Sequence, residues 1–298
     1  MADPISSQAQ PEEAIWVSIP VWAESRRPIP PNTASAARAA YGPANPYLLA
    51  GDQLGRLLDE LGRGGLRNAS LDGLQGGDLI LAIVTVFQYV ERLPDRLAAD
   101  AVRTRLDWKY ALHLPLDHPG IGHLWLGEFR HRLLDRETKL LAFQCVLDWL
   151  TAIGFLGSER QRPEATHVLR TVDDINCVQE STEAMSQMLE AVASLDPDWL
   201  RQIALPHWYQ RYGRASPGSA QASLEGTSAP LLDAIRGDVS YLLEVAHRVG
   251  APELETLPEM HALQELWHHR FEPLDDLRHD AGRGCTGRQD ETPPEGSR

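Results

Sequence analysis

Apolar residues spaced three and four positions apart recur through most of this chain, and this period constrains its fold more than any other feature. The longest example runs from Arg170 to Leu195, where the apolar side chains are Val172, Ile175, Val178, Met185, Met188, Leu189, Val192 and Leu195. Side chains three or four residues apart share one face of an α-helix, so the spacing predicts a buried helical stripe. No strong strand pattern of alternating apolar and polar residues is present. The sequence therefore predicts an all-α protein.

Capping and breaking residues divide this pattern into separate helices. In the first half we predict helices at 33–40, 47–61, 79–92, 96–105, 107–112, 124–134 and 137–155. Asp78 is the expected N-cap of helix 79–92, and Asp95 that of helix 96–105. The glycine-rich stretch 62–65 is expected to end helix 47–61, and Gly154 to end helix 137–155. Later in the chain we predict the helix 170–195, a short helix from Pro197, a helical turn within 206–214, and helices near 230–249 and 258–271.

Composition indicates four regions along the chain. Residues 1–46 are rich in Pro, Ala and Ser and are expected to form an extended arm. Residues 47–136 are predicted to be a compact helical domain, and 137–272 a second helical region. Residues 273–298 have almost no apolar side chains and no helical period, which predicts a disordered tail.

The charge of the chain is unevenly distributed. The formal net charge is -14, yet residues 1–136 contain 14 Lys and Arg against 16 Asp and Glu. Within residues 92–136 the balance turns positive, at 8 against 6. Binding to nucleic acid depends on Lys and Arg side chains that neutralise phosphates. Only the first half of the chain is therefore a candidate for that function.

The chain also has features expected of a cytoplasmic protein. Its three cysteines, Cys145, Cys177 and Cys285, lie far apart and form no CxxC pair, which is typical of a reduced intracellular protein. The polar, acidic N-terminus does not resemble a secretory signal. The longest apolar run, 79–90, is too short to span a bilayer, so no membrane partner is expected.

Four of the predicted helices, 79–92, 96–105, 107–112 and 124–134, have the size and spacing of a helix-turn-helix-like unit. Five basic side chains in it could reach phosphates or base edges: Arg103, Arg105, Lys109, Arg130 and Arg132. An ordinary helical bundle with a charged solvent face accounts for the same spacing, so the pattern alone leaves both interpretations open.

A longer motif lies within this unit. The segment DRLAADAVRTRLDWKYALHLPL, followed by HPGIGHLWLGEFRHRLL, resembles the N-terminal domain of DDE-type insertion-sequence transposases, the InsH type. The positions that match the family pattern are Asp95, Arg96, Ala98, Ala99, Ala101, Val102, Arg103, Arg105, Asp107, Trp108, Lys109, Tyr110, Ala111, Leu112, Glu128, Phe129, Arg130, Arg132 and Leu133. With the upstream segment, the resemblance covers most of residues 28–136.

The resemblance implies a domain that binds the ends of its own mobile element. The expected partner is double-stranded DNA carrying terminal inverted repeats, with the same chain or a full-length transposase as a further partner. The expected DNA-binding residues are Arg96, Arg103, Arg105, Lys109, Arg130 and Arg132. The resemblance therefore implies a DNA-binding protein that takes part in DNA transposition and DNA recombination.

The catalytic half of the family pattern is largely absent. Such transposases follow with R-Q-R-T-D-S-T-H-V, whose Asp is the first metal-binding carboxylate of a ribonuclease-H-like site. Here the segment is RQRPEATHV at 160–168, and Glu164 stands at the Asp position. Glu is longer by one methylene, and Pro163 removes a donor that a central strand needs. A solvated carboxylate is the simpler interpretation of Glu164, and segment 160–168 is expected to be a remnant of the first catalytic strand.

The two remaining catalytic acids of the family have no candidate here. An intact catalytic domain would use Mg²⁺, so the resemblance predicts a truncated member that needs no cofactor and is inactive alone. Apolar patterning and resemblance stop together at Phe271, so we expect a frameshifted or premature end there.

The histidines provide no clear metal site. His113, His118, His123 and the pair His268-His269 lack the Cys or acidic partners at helical or hairpin spacing that zinc sites use, so no metal is predicted.

Two other functions stay open beside DNA binding. One is a transposase-derived helical interaction module, in which the stripe along 170–195 is either buried in its own domain or part of a dimer. The other is an active nuclease completed by a second chain.

Overall fold

A computed structural model describes residues 28–62, 77–156, 162–213, 228–249 and 252–271. All regular secondary structure in these ranges is helical, which confirms the all-α prediction. Most of the predicted arm and the tail 273–298 lie outside the described residues. The chain forms two compact units, Met1–Asn176 and Cys177–Arg298, called here the N-terminal and C-terminal units.

Seven helices and the start of an eighth make up the described part of the N-terminal unit. They are α1 Pro31–Ala40, α2 Pro46–Gly62, α3 Asp78–Glu91, α4 Asp95–Thr104, α5 Leu106–Ala111, α6 His123–Leu134, α7 Glu137–Ala152 and the first part of α8, Ala165–Leu195. Helices α1 to α7 follow the predicted ones in order, and their ends differ by at most three residues.

Helix α3 lies at the centre of this unit. Every side chain from Ile80 to Gln88 is buried, as expected for a helix that is apolar all round and enclosed by others. Phe87 packs edge-on against Tyr47 of α2 at 4.8 Å between ring centroids, and Trp108 of α5 lies 5.1 Å away. Aromatic pairs at such separations stabilise the fold by more than the burial of their apolar area alone. Contacts between α2, α3 and α5 thus form the centre of the unit.

The end of α7 follows the sequence prediction. Gly154 has φ +81° and directly follows the C-cap Ile153. The amides of Gly154 and Phe155 bond back to the carbonyls of Thr151 and Leu150, which is the Schellman pattern. Gly154 therefore ends the helix, because this left-handed conformation is easiest without a Cβ.

The predicted N-caps of α3 and α4 are wrong. Gly77 and Pro94 occupy the cap positions, and neither makes a side-chain cap bond. Asp78 and Asp95 instead lie in the first turns, where their carboxylates accept hydrogen bonds from arginines of α6. The charge-assisted hydrogen bonds from these guanidinium groups explain why the two carboxylates face α6 instead of capping their own helices.

The segment that resembles a first catalytic strand is helical from Ala165 onward. The Gln144 side chain of α7 accepts the Ala165 amide at 2.8 Å and donates to the Pro163 carbonyl at 3.3 Å. Ala165 and Val168 are buried in the core of the N-terminal unit. Helical spacing of these apolar residues thus decides the local structure, and α8 begins five residues earlier than predicted.

The C-terminal unit contains the rest of α8 and several shorter helices. They are α9 Pro197–Ile203, α10 Trp208–Tyr212, α11 Ser228–Val249, α12 Pro252–Glu255, α13 Pro258–Leu266 and a turn of π-helix at Trp267–Phe271. The Asp196 side chain caps α9 by accepting the Trp199 amide at 2.9 Å. Met185, Met188 and Val192 are fully buried within the single chain. No helix among the described residues is both long and apolar enough to cross a membrane.

Candidate nucleic-acid interface

The six expected DNA-binding residues fall into two groups. Arg105, Lys109 and Arg130 turn toward other parts of the N-terminal unit, whereas Arg96 and Arg103 lie on the exposed face of α4. Arg132 is intermediate: 43% of its side chain is exposed, and it donates to Asp78 at 2.8 Å. The structure therefore does not bring the six side chains together on one surface.

Arg130 belongs to a buried polar group, the Asp95 cluster, formed by Asp95, Arg130, Gln88 and Asn176. Two guanidinium nitrogens of Arg130 donate to the two carboxylate oxygens of Asp95 at 2.7 and 2.8 Å. Gln88 donates to the same carboxylate at 2.8 Å, and Asn176 at 3.2 Å. The Arg130 side chain is 7% exposed and that of Asp95 14%. This cluster joins α3, α4, α6 and α8 and leaves Arg130 little access to a phosphate.

Arg105 forms a second group, the Arg105 cluster, with Glu91, Asp107, Tyr47 and Trp108. Its guanidinium makes a two-point contact with Asp107 at 2.7 and 3.0 Å, and it also donates to Glu91. Its Cζ lies 5.2 Å from the Tyr47 ring centroid and 5.1 Å from that of Trp108. Burial opposes the charge, but the bonds to Asp107 and Glu91 prevail and hold the pKa of Arg105 above its ordinary value.

Lys109 is also directed inward. The residue is 5% exposed, and its Nζ donates to the Leu116 carbonyl and, at 3.3 Å, to the His118 carbonyl. Burial lowers the pKa of Lys109, although the charge of Asp117 acts in the opposite direction. Its amine fixes the loop that follows α5, so replacing Lys109 would first disturb this loop.

Helix α5 has no exposed face to offer to a DNA groove. All residues from Asp107 to Ala111 are buried in this six-residue helix. A recognition helix needs side chains that reach base edges, so α5 cannot have that role in this conformation. The exposed residues of α6, which include Leu124, Glu128 and Leu134, contain no Lys or Arg.

The exposed face of α4 carries two of the six expected DNA-binding residues, Arg96 and Arg103. This α4 outer face consists of Arg96, Leu97, Asp100, Arg103 and Thr104, all exposed. Arg103 forms an exposed i,i+3 ion pair with Asp100, and 62% of its side chain remains exposed. Such surface pairs are weak, so the guanidinium can exchange Asp100 for a phosphate at small cost.

Glu164, the expected position of the first catalytic acid, is exposed just before α8, and its carbonyl accepts the Val168 amide. Glu164 thus precedes a helix and makes its first backbone hydrogen bond; it does not lie on a β-sheet. No group of three or more His, Cys, Asp or Glu side chains that could hold a metal ion occurs in the described ranges.

Sequence reasoning missed several residues that build this region. Gln88 and Asn176 complete the Asp95 cluster, and Asn176 lies 81 positions from its partner. A Cβ on Gly51 would lie 2.9 Å from the Tyr110 carbonyl oxygen, so α2 and α5 meet here at backbone distance. No signal in the sequence reveals Gln88 and Asn176 as partners of Asp95, whereas a glycine inside a strong helical pattern could have indicated close packing.

Comparisons with protein-family models, with curated proteins and with solved structures found no match to this chain.

Proposed function

We propose that the N-terminal unit binds double-stranded DNA in the manner of a transposase N-terminal domain, with the ends of a mobile element as its target. The observation that carries this proposal is the α4 outer face, on which Arg96 and Arg103 are exposed to solvent. Exposed arginines on a helix suit phosphate contact and base contact in the major groove.

Residues that make contacts inside the N-terminal unit support the family resemblance in another way. Asp95, Arg105, Asp107, Trp108, Lys109 and Arg130 all match the family pattern, and each takes part in the Asp95 cluster, the Arg105 cluster or the contact of Lys109 with its loop. A family pattern whose residues make contacts inside the unit is what a shared fold requires. DNA contact is then assigned to Arg96 and Arg103 alone, with Arg132 at the margin.

The test begins without a known target. The full chain is used to select duplexes from a random-sequence library, and the enriched duplex is compared with random duplex by fluorescence anisotropy at moderate salt. We expect tighter binding to the enriched duplex, and weaker binding when Arg96 and Arg103 are both replaced by Ala. Equal affinity for enriched and random duplex would contradict specific binding.

Arg201 supplies a matched control for this test. It forms an exposed i,i+3 ion pair with Asp198 in the C-terminal unit, as Arg103 does with Asp100 in the N-terminal unit. Arg201→Ala removes one positive charge from a similar setting, as the single change Arg103→Ala does, so we expect Arg201→Ala to leave the affinity unchanged and Arg103→Ala to lower it. An equal loss from Arg201→Ala would show that net charge, not the α4 outer face, governs binding.

A second candidate function is a helical interaction module without a DNA role. It is favoured by the internal pairing of Arg105, Lys109 and Arg130, which explains three basic residues without any nucleic acid. Measuring the hydrodynamic mass with and without DNA separates the two. A stable dimer that ignores DNA would support this second candidate.

We further propose that the protein works in the cytoplasm, on nucleoid DNA, without cleaving strands by itself. Glu164 is exposed ahead of a helix and holds no position on a sheet. Magnesium-dependent nicking by the purified chain would contradict this part of the proposal and favour a nuclease completed by a second chain.

A further inference from the structure

We propose that His118 is an acid-sensitive latch that holds the loop between α5 and α6 against α4 and opens when its imidazole is protonated. The loop runs from Leu112 to Gly122, and three contacts described below fix its middle part.

The first contact is the buried ammonium of Lys109. It donates to the carbonyls of Leu116 and His118 and so holds the loop backbone from the α5 side. The bond to the His118 carbonyl places the positive charge of Lys109 close to the His118 imidazole. Asp117, the neighbouring carboxylate, is exposed and offsets part of this charge.

The second contact defines the protonation state of His118. The Gly120 amide donates to His118 Nδ1 at 3.1 Å. A ring nitrogen can accept a hydrogen bond only without a proton of its own, so this bond requires the neutral imidazole with its proton on Nε2. Protonation of Nδ1 would break this hydrogen bond, because the Nδ1–H and the Gly120 N–H would then be two donors facing each other.

The third contact joins Gly120 to α4. Gly120 has φ +96°, and a Cβ at this position would lie 3.0 Å from the Arg103 Cβ. The loop backbone therefore rests directly on α4 at the residue that carries the exposed guanidinium. Release of the Gly120 amide frees the loop at this point.

The surroundings of His118 favour the neutral form. Burial and then the charge of Lys109 lower the pKa of His118, while Asp117 acts the other way. On the α3 side His118 shares a small pocket with Gly77, Ile80 and Leu81, none of which carries a titratable side chain. The pKa of His118 is lower in the folded chain than in the unfolded chain. The stabilisation by the neutral imidazole is therefore complete above the unfolded pKa of about 6.5 and declines as the pH falls from there through the folded pKa.

Nuclear magnetic resonance of the full chain tests the latch. Hydrogen exchange of the Gly120 amide and titration of the His118 imidazole are followed from about pH 7 to about pH 5. After correction for the intrinsic exchange rate, we expect the protection factor of Gly120 to fall about tenfold or more as His118 gains its proton. An imidazole that titrates at or above its ordinary pKa, or protection that stays constant through the titration, would overturn the proposal.

Two variants refine the test. In His118→Asn, the amide oxygen can accept the Gly120 amide in place of Nδ1 but does not titrate, so protection should stay constant with pH. His131→Asn removes an exposed histidine of α6 and should retain the wild-type profile. The same pH dependence in His118→Asn as in wild type would show that another group is responsible.

The exchange measurement contains no DNA, so its result does not depend on the proposed function. If the proposed function also holds, acidification should alter the affinity for DNA, because the loop contacts α4 at Arg103. Failure to bind DNA would leave the exchange result intact, whereas constant protection would remove the latch and leave the proposed function in place.

Discussion

Burial decides what each arginine does in the N-terminal unit. Arg130 and Arg103 both match the resemblance and both pair with an aspartate, but the Arg130 side chain is 7% exposed and that of Arg103 62%. A buried guanidinium is held by the carboxylate that it neutralises, whereas an exposed one exchanges readily with solvent and other anions. The same residue type thus stabilises the fold at one position and is available to a partner at the other.

Arg130→Ala should lower the free energy of unfolding by about 3–5 kcal/mol, because Asp95 would stay buried without its charged partner. Urea unfolding of the wild type and the variant measures this difference. Arg103→Ala, which removes a partner from an exposed pair, should cost less than about 1 kcal/mol. Similar losses in the two variants would contradict the assignment of Arg130 to the core.

The hydrogen bonds and ion pair of Asp238 should make the free energy of unfolding depend on pH. The residue is buried on α11, and its carboxylate accepts hydrogen bonds from His207 at 3.0 Å and Tyr212 at 2.7 Å and pairs with Arg211. Burial acts to raise the pKa of Asp238, but these bonds and the charge of Arg211 together lower it. The stabilisation is therefore present above the unfolded pKa of about 3.9 and is lost as the pH falls through the lower, folded value.

Asp238→Asn should remove this dependence. The difference in unfolding free energy between wild type and variant should be constant from about pH 7 to pH 5 and shrink below about pH 4. Urea unfolding across this range measures it. A difference that persists unchanged into strong acid would contradict the assigned role of Asp238.

Among the helices, the contact between α2 and α5 depends on one glycine. A Cβ on Gly51 would lie 2.8 Å from the Tyr110 ring and 2.9 Å from its carbonyl oxygen, and a backbone atom cannot move aside easily. Gly51→Ala should therefore destabilise the fold by about 1–3 kcal/mol through overpacking. Thermal or urea unfolding measures the loss.

Gly55 provides the matched control in the same helix. Nothing lies within 4 Å of the position that its Cβ would occupy. Gly55→Ala should stabilise the protein by up to about 1 kcal/mol, because alanine is the better helix former. If both substitutions stabilise, α2 and α5 do not pack as closely as described.

Most of the helices were predictable because their apolar residues recur at helical spacing, and α3 was predictable from its nearly continuous apolar run. The exceptions have local causes: α12 has only four residues, too few for a period, and the first turn of α8 follows Pro163, which favoured a break. The inward direction of Arg105, Lys109 and Arg130 was not predictable in the same way. It depends on partners fixed only by the packed fold, such as Asn176 behind Asp95.

For the molecule as a whole, the acidic total of -14 says little about partners, because the positive charge that matters is local. Electrostatic attraction between exposed charges fades within about 10 Å at moderate salt. Arg96 and Arg103 can therefore serve DNA even though the chain is acidic. A chain so charged should bind DNA weakly at best through nonspecific contacts, which makes the contribution of these two residues measurable.

The salt dependence of DNA affinity is the most direct test of this account. The affinity of the full chain for its selected duplex is measured between about 50 and 200 mM salt. Replacing Arg96 and Arg103 by Ala should reduce the slope of log affinity against log salt by about two, one for each lost phosphate contact, and Arg201→Ala should leave it unchanged. Equal slopes for wild type and the double variant would contradict the claim that the α4 outer face binds DNA.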